Sequence, residues 1–337
     1  MALKIIFMGT PEFSIPILKS IYETNNKILE VYTQPPKKKN RGQKIINSPI
    51  HEYSKKLGIP VRNPIVFDDK EIDHIEKLKS DLVIVVAYGK ILPKKLLKLE
   101  NILFINVHAS LLPKWRGAAP IQRAIMNMDH ETGVSIMKIV PKLDAGPVLI
   151  QSKIKITKEI NLKELSDKMS ELGAKLILDT LKLVENKKLN FIEQNESEAT
   201  YAKKIEKTET RLNWNDDADK VIAKINAFCP NPGCWFELDG IRMKIIKAKE
   251  IEAVRDVDVA KIGVQMEQVR QTENSWKDEW LTLTFSGIFI CHFIGPLQPF
   301  MNRGWEILAQ ANDYYWVIIL TIVGGSFGVS TLKKFKK

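Results

Sequence analysis

The run Ile102-Leu-Phe-Ile-Asn106-Val-His108-Ala-Ser110-Leu-Leu-Pro113-Lys-Trp-Arg116-Gly117 decides the fold. Residues 102–107 are almost wholly apolar and rich in β-formers, the pattern of a buried strand in a parallel sheet. Asn106 and His108 are two apart, so both side chains leave one face at the strand's carboxyl end, where open α/β sheets bind their ligands. A turn at residues 110–113 and then Arg116-Gly117 follow at once, and a helical stretch begins at Ala118 and ends near Met128. An acid can reach the same mouth from a distance. Asp144 sits in a loop, residues 142–147, whose Gly146-Pro147 step excludes a helix.

Working outward, apolar runs of strand length at residues 3–8, 28–33, 82–87, 134–140 and 148–156 alternate with amphipathic stretches at 13–22, 48–57, 70–78 and 162–186. That alternation predicts an α/β fold with a doubly wound, mostly parallel sheet. The lone Gly9 after the first strand is no G-x-G-x-x-G, which argues against a dinucleotide site. A chain of 337 residues with 45% hydrophobic content accommodates two domains. Its net charge of +11 favours a polyanionic partner or a membrane surface. Lysine concentrates in the loop 34–44, a segment no core would accept. Such loops are ordinarily solvated connections, but this one follows a strand's carboxyl end. Lys37, Lys38, Lys39, Arg41 and Lys44 would therefore overhang the mouth and lead in a phosphate backbone in a salt-dependent way. The three cysteines, Cys229, Cys234 and Cys291, form no C-x-x-C, so neither zinc nor a disulfide framework is indicated and a reducing cytosol is expected. His51, His74, His130 and His292 lack the Asn-x-His spacing and read as structural, and no metal is called for.

Asn106-Val-His108 with Ser110-Leu111-Leu112-Pro113, Arg116-Gly117 and Leu143-Asp144-Ala-Gly146 resembles the signature of the 10-formyltetrahydrofolate-dependent formyltransferases. Met8-Gly-Thr-Pro-Glu-Phe13, the loop at 34–49, Val86-Ala-Tyr88-Gly89 and Thr200-Tyr-Ala-Lys-Lys-Ile205 are similar to the methionyl-tRNA branch of that family, over residues 1 to about 250. The resemblance implies an enzyme that moves a formyl group from 10-formyltetrahydrofolate, as cosubstrate, to the α-amine of methionyl initiator tRNA. Formyl transfer needs a cradle for a developing oxyanion and a group to take the amine proton. Asn106 can donate its amide hydrogen, and His108, protonated or hydrogen-bonded by Asp144, is a stronger donor. Asp144 can accept the proton directly or through water, or tune the imidazole. By the same resemblance, Ser110, Leu111, Leu112 and Pro113 form a wall against the pterin, offering backbone N–H and C=O groups, with Tyr88 and Gly89 also at the folate site. Lys37, Lys38, Lys39, Arg41 and Lys44 grip the tRNA acceptor arm, and Arg116 reaches a phosphate or a folate carboxylate. Trp115 either covers the site or is a loop hydrophobe.

The expected organisation is a catalytic domain at 1–193, a polar linker at 194–211, and a partial OB-like β domain at 212–251 with Asp239-Gly240 as its hairpin turn. An atypical tail covers 252–337. Within it, 280–300 and 314–332 are apolar runs of membrane-spanning length, the second followed by Lys333, Lys334, Lys336 and Lys337. Both ends would face the cytoplasm, hanging a monomeric catalytic unit from a membrane hairpin. Two other functions share these features: a formyltransferase for another amine, such as an amino sugar or glycinamide ribonucleotide, and an inactive membrane-tethered RNA-binding fusion.

Overall fold

The computed structural model describes residues 2–39, 44–238 and 240–250, with 262, 263, 299 and 303. The chain divides into two units, Met1–Gln268 and Val269–Lys337, and the sheet and its crevice belong to the first. The apolar runs at 280–300 and 314–332, expected to be membrane spans, lie outside the described residues but for Pro299. Among the described residues no helix is long and apolar enough to cross a membrane.

Seven strands form one sheet: β1 (Lys4–Gly9), β2 (Lys27–Tyr32), β3 (Val61–Arg62), β4 (Leu82–Val86), β5 (Leu103–His108), β6 (Glu131–Lys138) and β7 (Val148–Lys155), in the spatial order β7-β6-β5-β4-β1-β2-β3. The five strands from β3 across to β5 pair in parallel, whereas β6 and β7 add antiparallel. Strand order reverses between β1 and β4, so their carboxyl ends open a crevice, the usual ligand position in this architecture. Thr10 and Ser14 close it from below: the Thr10 hydroxyl donates to the Tyr88 carbonyl at 2.8 Å and Ser14 Oγ to that of Val86 at 2.9 Å.

One sheet face is covered by α1 (Ile15–Tyr22), α2 (Pro49–Lys56), α4 (Pro120–Met126) and α5 (Leu162–Glu185), the other by α3 (Asp69–Lys77) and the short helix Lys94–Leu97. Period-2 alternation sorts β5 between the two cores: Ile105 and Val107 join one, Phe104 the other. Asn106 and His108 share Phe104's face at the open end. Helix α5 starts with a reciprocal cap, Asn161 accepting from the Glu164 N–H while Glu164 reaches back to the Asn161 N–H. It buries Leu165, Met169, Leu176, Ile177 and Leu181, each contributing roughly 1.5–3 kcal/mol. Gly173 lets that helix sit close to the catalytic strand, since a Cβ there would lie 3.3 Å from Val107 and 3.1 Å from Ile17.

The lysine-rich segment is not the open loop its composition suggests. Lys37–Lys39 pairs antiparallel with Lys44–Ile46, making a short ribbon, so the side of the crevice carries a defined element. Beyond the linker, α6 (Ala218–Phe228) packs on the hairpin Cys234–Leu238/Ile241–Ile245 around a small core of Leu212, Val221, Ile225, Phe228, Cys234 and Ile245. Lys249–Glu250 then pairs with Ile262–Gly263, so strand pairing continues past residue 252, where composition had suggested the domain ends.

Candidate active site

The carboxyl end of β5 delivers His108, only 5% exposed, into the crevice. Its Nε2 lies 3.0 Å from the Trp115 carbonyl oxygen. A carbonyl can only accept, so Nε2 carries the hydrogen and Nδ1 is left facing the site. Nδ1 stands 3.7 Å from Asp144 Oδ2, too far for the direct bond that the sequence reading allowed. Oδ2 instead accepts the Gly117 N–H at 2.8 Å. Asp144 Oδ1 and the half-buried Asn106 amide make no hydrogen bond among the described residues, so the His108–Asp144 pair and the amide on the same face of the strand keep hydrogen-bonding capacity to spare.

Backbone strain accompanies them. Trp115 has φ +60° and Asp144 φ +45°, left-handed conformations that L-residues hold only when neighbours over-determine them. Gly117, at φ +123°, must be glycine: a Cβ would approach the Ala202 carbonyl oxygen to 2.7 Å.

The turn at 110–113, expected to wall the pterin, is held by hydrogen bonds that take its polar groups into the protein. Ser135 Oγ accepts from the Leu112 N–H at 3.1 Å and donates to the Ser110 carbonyl at 2.6 Å. Gln151 donates to the Leu112 carbonyl at 2.8 Å, the Pro113 carbonyl accepts from Thr200 and that of Leu111 from Lys114. The backbone donors and acceptors expected to meet a ligand there are mostly taken up in fixing the loop. Among the described residues of this turn, the half-buried Leu111 side chain is left to face a ligand, whereas Leu112 is 6% exposed and Ser110 is fully buried.

Tyr88 also differs from expectation. Strand β4 ends at Val86, and the left-handed Ala87, φ +45°, breaks the alternation. The Tyr88 ring therefore enters the second core beside Val83 and Val85 instead of following Ile84 and Val86 into the first. It is 1% exposed, edge-on to Phe67, with a hydroxyl that has no partner among the described residues. Burial raises that hydroxyl's pKa above the usual range for tyrosine. What Tyr88 and Gly89 present at the crevice is backbone: Gln34 Nε2 donates to both carbonyls, at 3.2 and 2.7 Å. A cleft of about 660 Å³ is lined by Thr10, Phe13, Gln34, Lys37, Asn47 and Ser166, among others. Asn106, His108 and Asp144 do not line it. Lys37 does, while the side chains of Lys38, Lys39, Arg41 and Lys44 lie outside the described ones.

Arg116 is not free to meet a phosphate or a carboxylate of a ligand. Its side chain is fully buried, with Nε and Nη2 donating to Gln194 Oε1 at 3.0 and 2.8 Å and Nη2 paired with Glu196 at 3.0 Å. The Arg116 guanidinium, then Lys142, hold the Glu196 carboxyl down to about 2. Sequence reasoning missed this partnership because 194–202 is composed like any solvated linker. In the structure Tyr201–Ala202 pairs in parallel with Arg116–Gly117, and Thr200 Oγ1 accepts from the Trp115 N–H at 2.8 Å. The linker is one wall of the site.

A strand-end Asn/His pair facing an aspartate from a distant loop, on a doubly wound sheet, describes the formyltransferase class. Comparison with known proteins agrees: the Formyl transferase family matches residues 3–181, and its C-terminal domain family matches 204–271. The methionyl-tRNA formyltransferase of Pelagibacter ubique is 51% identical over 251 residues, 74% of this chain and 81% of that protein. That of Dictyoglomus thermophilum is 43% identical over 314 residues, covering 93% of this chain and 97% of its own length, a match that runs past residue 252. An N-formyltransferase from Helicobacter canadensis, solved with folinic acid and dTDP-3-aminofucose, shares the fold at TM-score 0.60 and 19% identity, over 77% of this chain and 91% of that one. The chain belongs to the formyltransferase family and, within it, to the methionyl-tRNA formyltransferases.

Proposed function

We propose that the chain transfers the formyl group of 10-formyltetrahydrofolate to the α-amino group of methionyl initiator tRNA. The observation that supports this reading is the His108–Asp144 pair, 3.7 Å apart at the carboxyl end of β5, in a chain 51% identical to a methionyl-tRNA formyltransferase. The amine attacks the formyl carbon, the new C–N bond forms, and the bond from that carbon to the donor nitrogen breaks. Charge developing on the formyl oxygen meets the Asn106 amide hydrogen and, from a protonated ring, His108 Nδ1–H. The free Asp144 Oδ1 takes the proton that the amine loses, and the departing nitrogen receives one in exchange.

Folate rests against Leu111 at the turn 110–113 and the residue 88–89 edge, and the cleft lined by Lys37 and Asn47 takes the acceptor end of the tRNA. The basic residues Lys37, Lys38, Lys39, Arg41 and Lys44 hold the arm's phosphates. Such substrates place catalysis in the cytoplasm, by a single chain. Attachment to a membrane through 280–300 and 314–332 is supported by apolar composition and the terminal lysines alone, and fractionation of cells expressing the full chain tests it. For the activity itself, purified protein offered charged initiator tRNA, an amino-sugar nucleotide and glycinamide ribonucleotide in parallel should formylate the tRNA with the highest kcat/KM. A preference for either small amine would overturn the choice of acceptor.

A further inference from the structure

We infer that Gln194 is a positioning residue for Asp144, which ties the linker into catalysis. This rests on the reading of Asp144 as the proton acceptor. Gln194 lies in the stretch between the two family matches, 3–181 and 204–271. Its half-buried side chain makes four hydrogen bonds. Oε1 accepts from Arg116 Nε and Nη2 at 3.0 and 2.8 Å, and Nε2 donates to the carbonyls of Asp144 and Gly146 at 2.9 and 2.6 Å. A guanidinium only donates and a carbonyl only accepts, so the amide's orientation is unambiguous.

The arrangement bolts two loops that approach the site from different parts of the chain. Arg116 precedes Gly117, whose N–H fixes the Asp144 carboxylate, and Gln194 fixes the Asp144 backbone. Both Asp144 and Gly117 occupy the left-handed region, at φ +45° and +123°, so the loop needs external bonds to stay in place. Gly146 has no room to shift, since even a Cβ there would run into the Lys138 carbonyl oxygen. Without the amide donor, Asp144 relaxes from its strained backbone and its carboxylate leaves the position that Gly117 and His108 define.

The two halves of the amide can be separated. Gln194→Glu keeps an acceptor for Arg116 and deletes the donor to Asp144 and Gly146. Gln194→Met deletes both without adding charge. Each should lower kcat for formyl transfer about tenfold or more, since small misplacements of a reacting group are costly, with KM for tRNA and folate nearly unchanged. The Gly117 amide, read by hydrogen exchange, should lose protection in both, and Gln194→Glu should stay folded because the Arg116 bonds persist. Asp144→Asn, measured beside them, separates this inference from the site reading. If Asp144→Asn is inactive while Gln194→Glu and Gln194→Met turn over normally, the role of Gln194 is overturned and the site stands. If Asp144→Asn turns over normally, the site reading beneath it fails. If the Gln194 variants lose only thermal stability, with kcat and Gly117 protection intact, Gln194 is merely structural and the inference falls.

Discussion

Strand β5 and the linker segment 194–202 serve one site and could hardly look less alike in sequence. The strand is apolar, β-branched and interrupted at its end by an amide and an imidazole. The linker is polar and charged, with little to distinguish it from a spacer. Yet the linker supplies Gln194, Glu196, Thr200 and Ala202 to the loops that set His108 and Asp144 in place. The difference teaches that reacting groups advertise themselves by chemistry and periodicity, whereas the groups that hold them act through long-range hydrogen bonds that composition does not encode.

The largest effects should fall on the strand. His108→Ala or Asn106→Ala should lower kcat on the order of a hundredfold or more, the usual cost of one oxyanion donor, with the unfolding midpoint little changed. A folded His108→Ala protein with near-normal turnover would remove the strand from its place in the comparison. On the linker side, Arg116→Met should cost stability, about 1–3 kcal/mol, because it removes both donors from the half-buried Gln194 Oε1 and leaves that oxygen beside an apolar group; the exposed Glu196 keeps Lys142 and water. Denaturant unfolding reads this directly. A loss of tRNA affinity at unchanged stability would instead restore Arg116 to the binding surface.

Smaller effects sharpen the contrast between held and open charges. Replacing Lys37, Lys38, Lys39, Arg41 and Lys44 by Ala should weaken tRNA use, leaving folate affinity alone. Its salt dependence should flatten by about one log-log slope unit for each phosphate no longer neutralised. Equal loss of folate affinity in a titration would contradict that assignment. Smallest is the acid response of Glu196. Its carboxyl, held at about 2 in the folded chain against an ordinary 4.5, contributes stability that is complete above 4.5 and is lost as pH falls toward 2. The stability difference between wild type and Glu196→Gln should therefore shrink across that window, and a difference independent of pH would show that the pairing does not matter.

Much of the fold was legible. The strand–helix alternation, the capped α5 helix and the hairpin after residue 233 all arise from periodicity and turn chemistry, and the boundaries shifted by only a few residues. At the site, the two-residue spacing placed Asn106 and His108 together, and the Gly-Pro step kept Asp144 in a loop. Three features were not legible for physical reasons. Tyr88 reaches the second core only because the left-handed Ala87 breaks the strand's alternation just before it, a backbone turn that a tyrosine at a strand's end does not announce. Arg116 looked like a phosphate donor because its partners, Gln194 and Glu196, are about 80 residues away. The lysine run became a ribbon because Ile45 and Ile46 supply a returning strand that charge alone obscured.

The central claim, that the crevice of Asn106, His108 and Asp144 formylates methionyl-tRNA, is tested most directly by one comparison of rates. Wild-type protein and folded Asn106→Ala are each given 10-formyltetrahydrofolate and charged initiator tRNA, and the formylmethionine released by hydrolysis is counted over time. Multiple turnovers by the wild type, with a rate on the order of a hundredfold lower in the variant, are the predicted result. No formylmethionine from wild type, or equal rates from the two proteins, would contradict it.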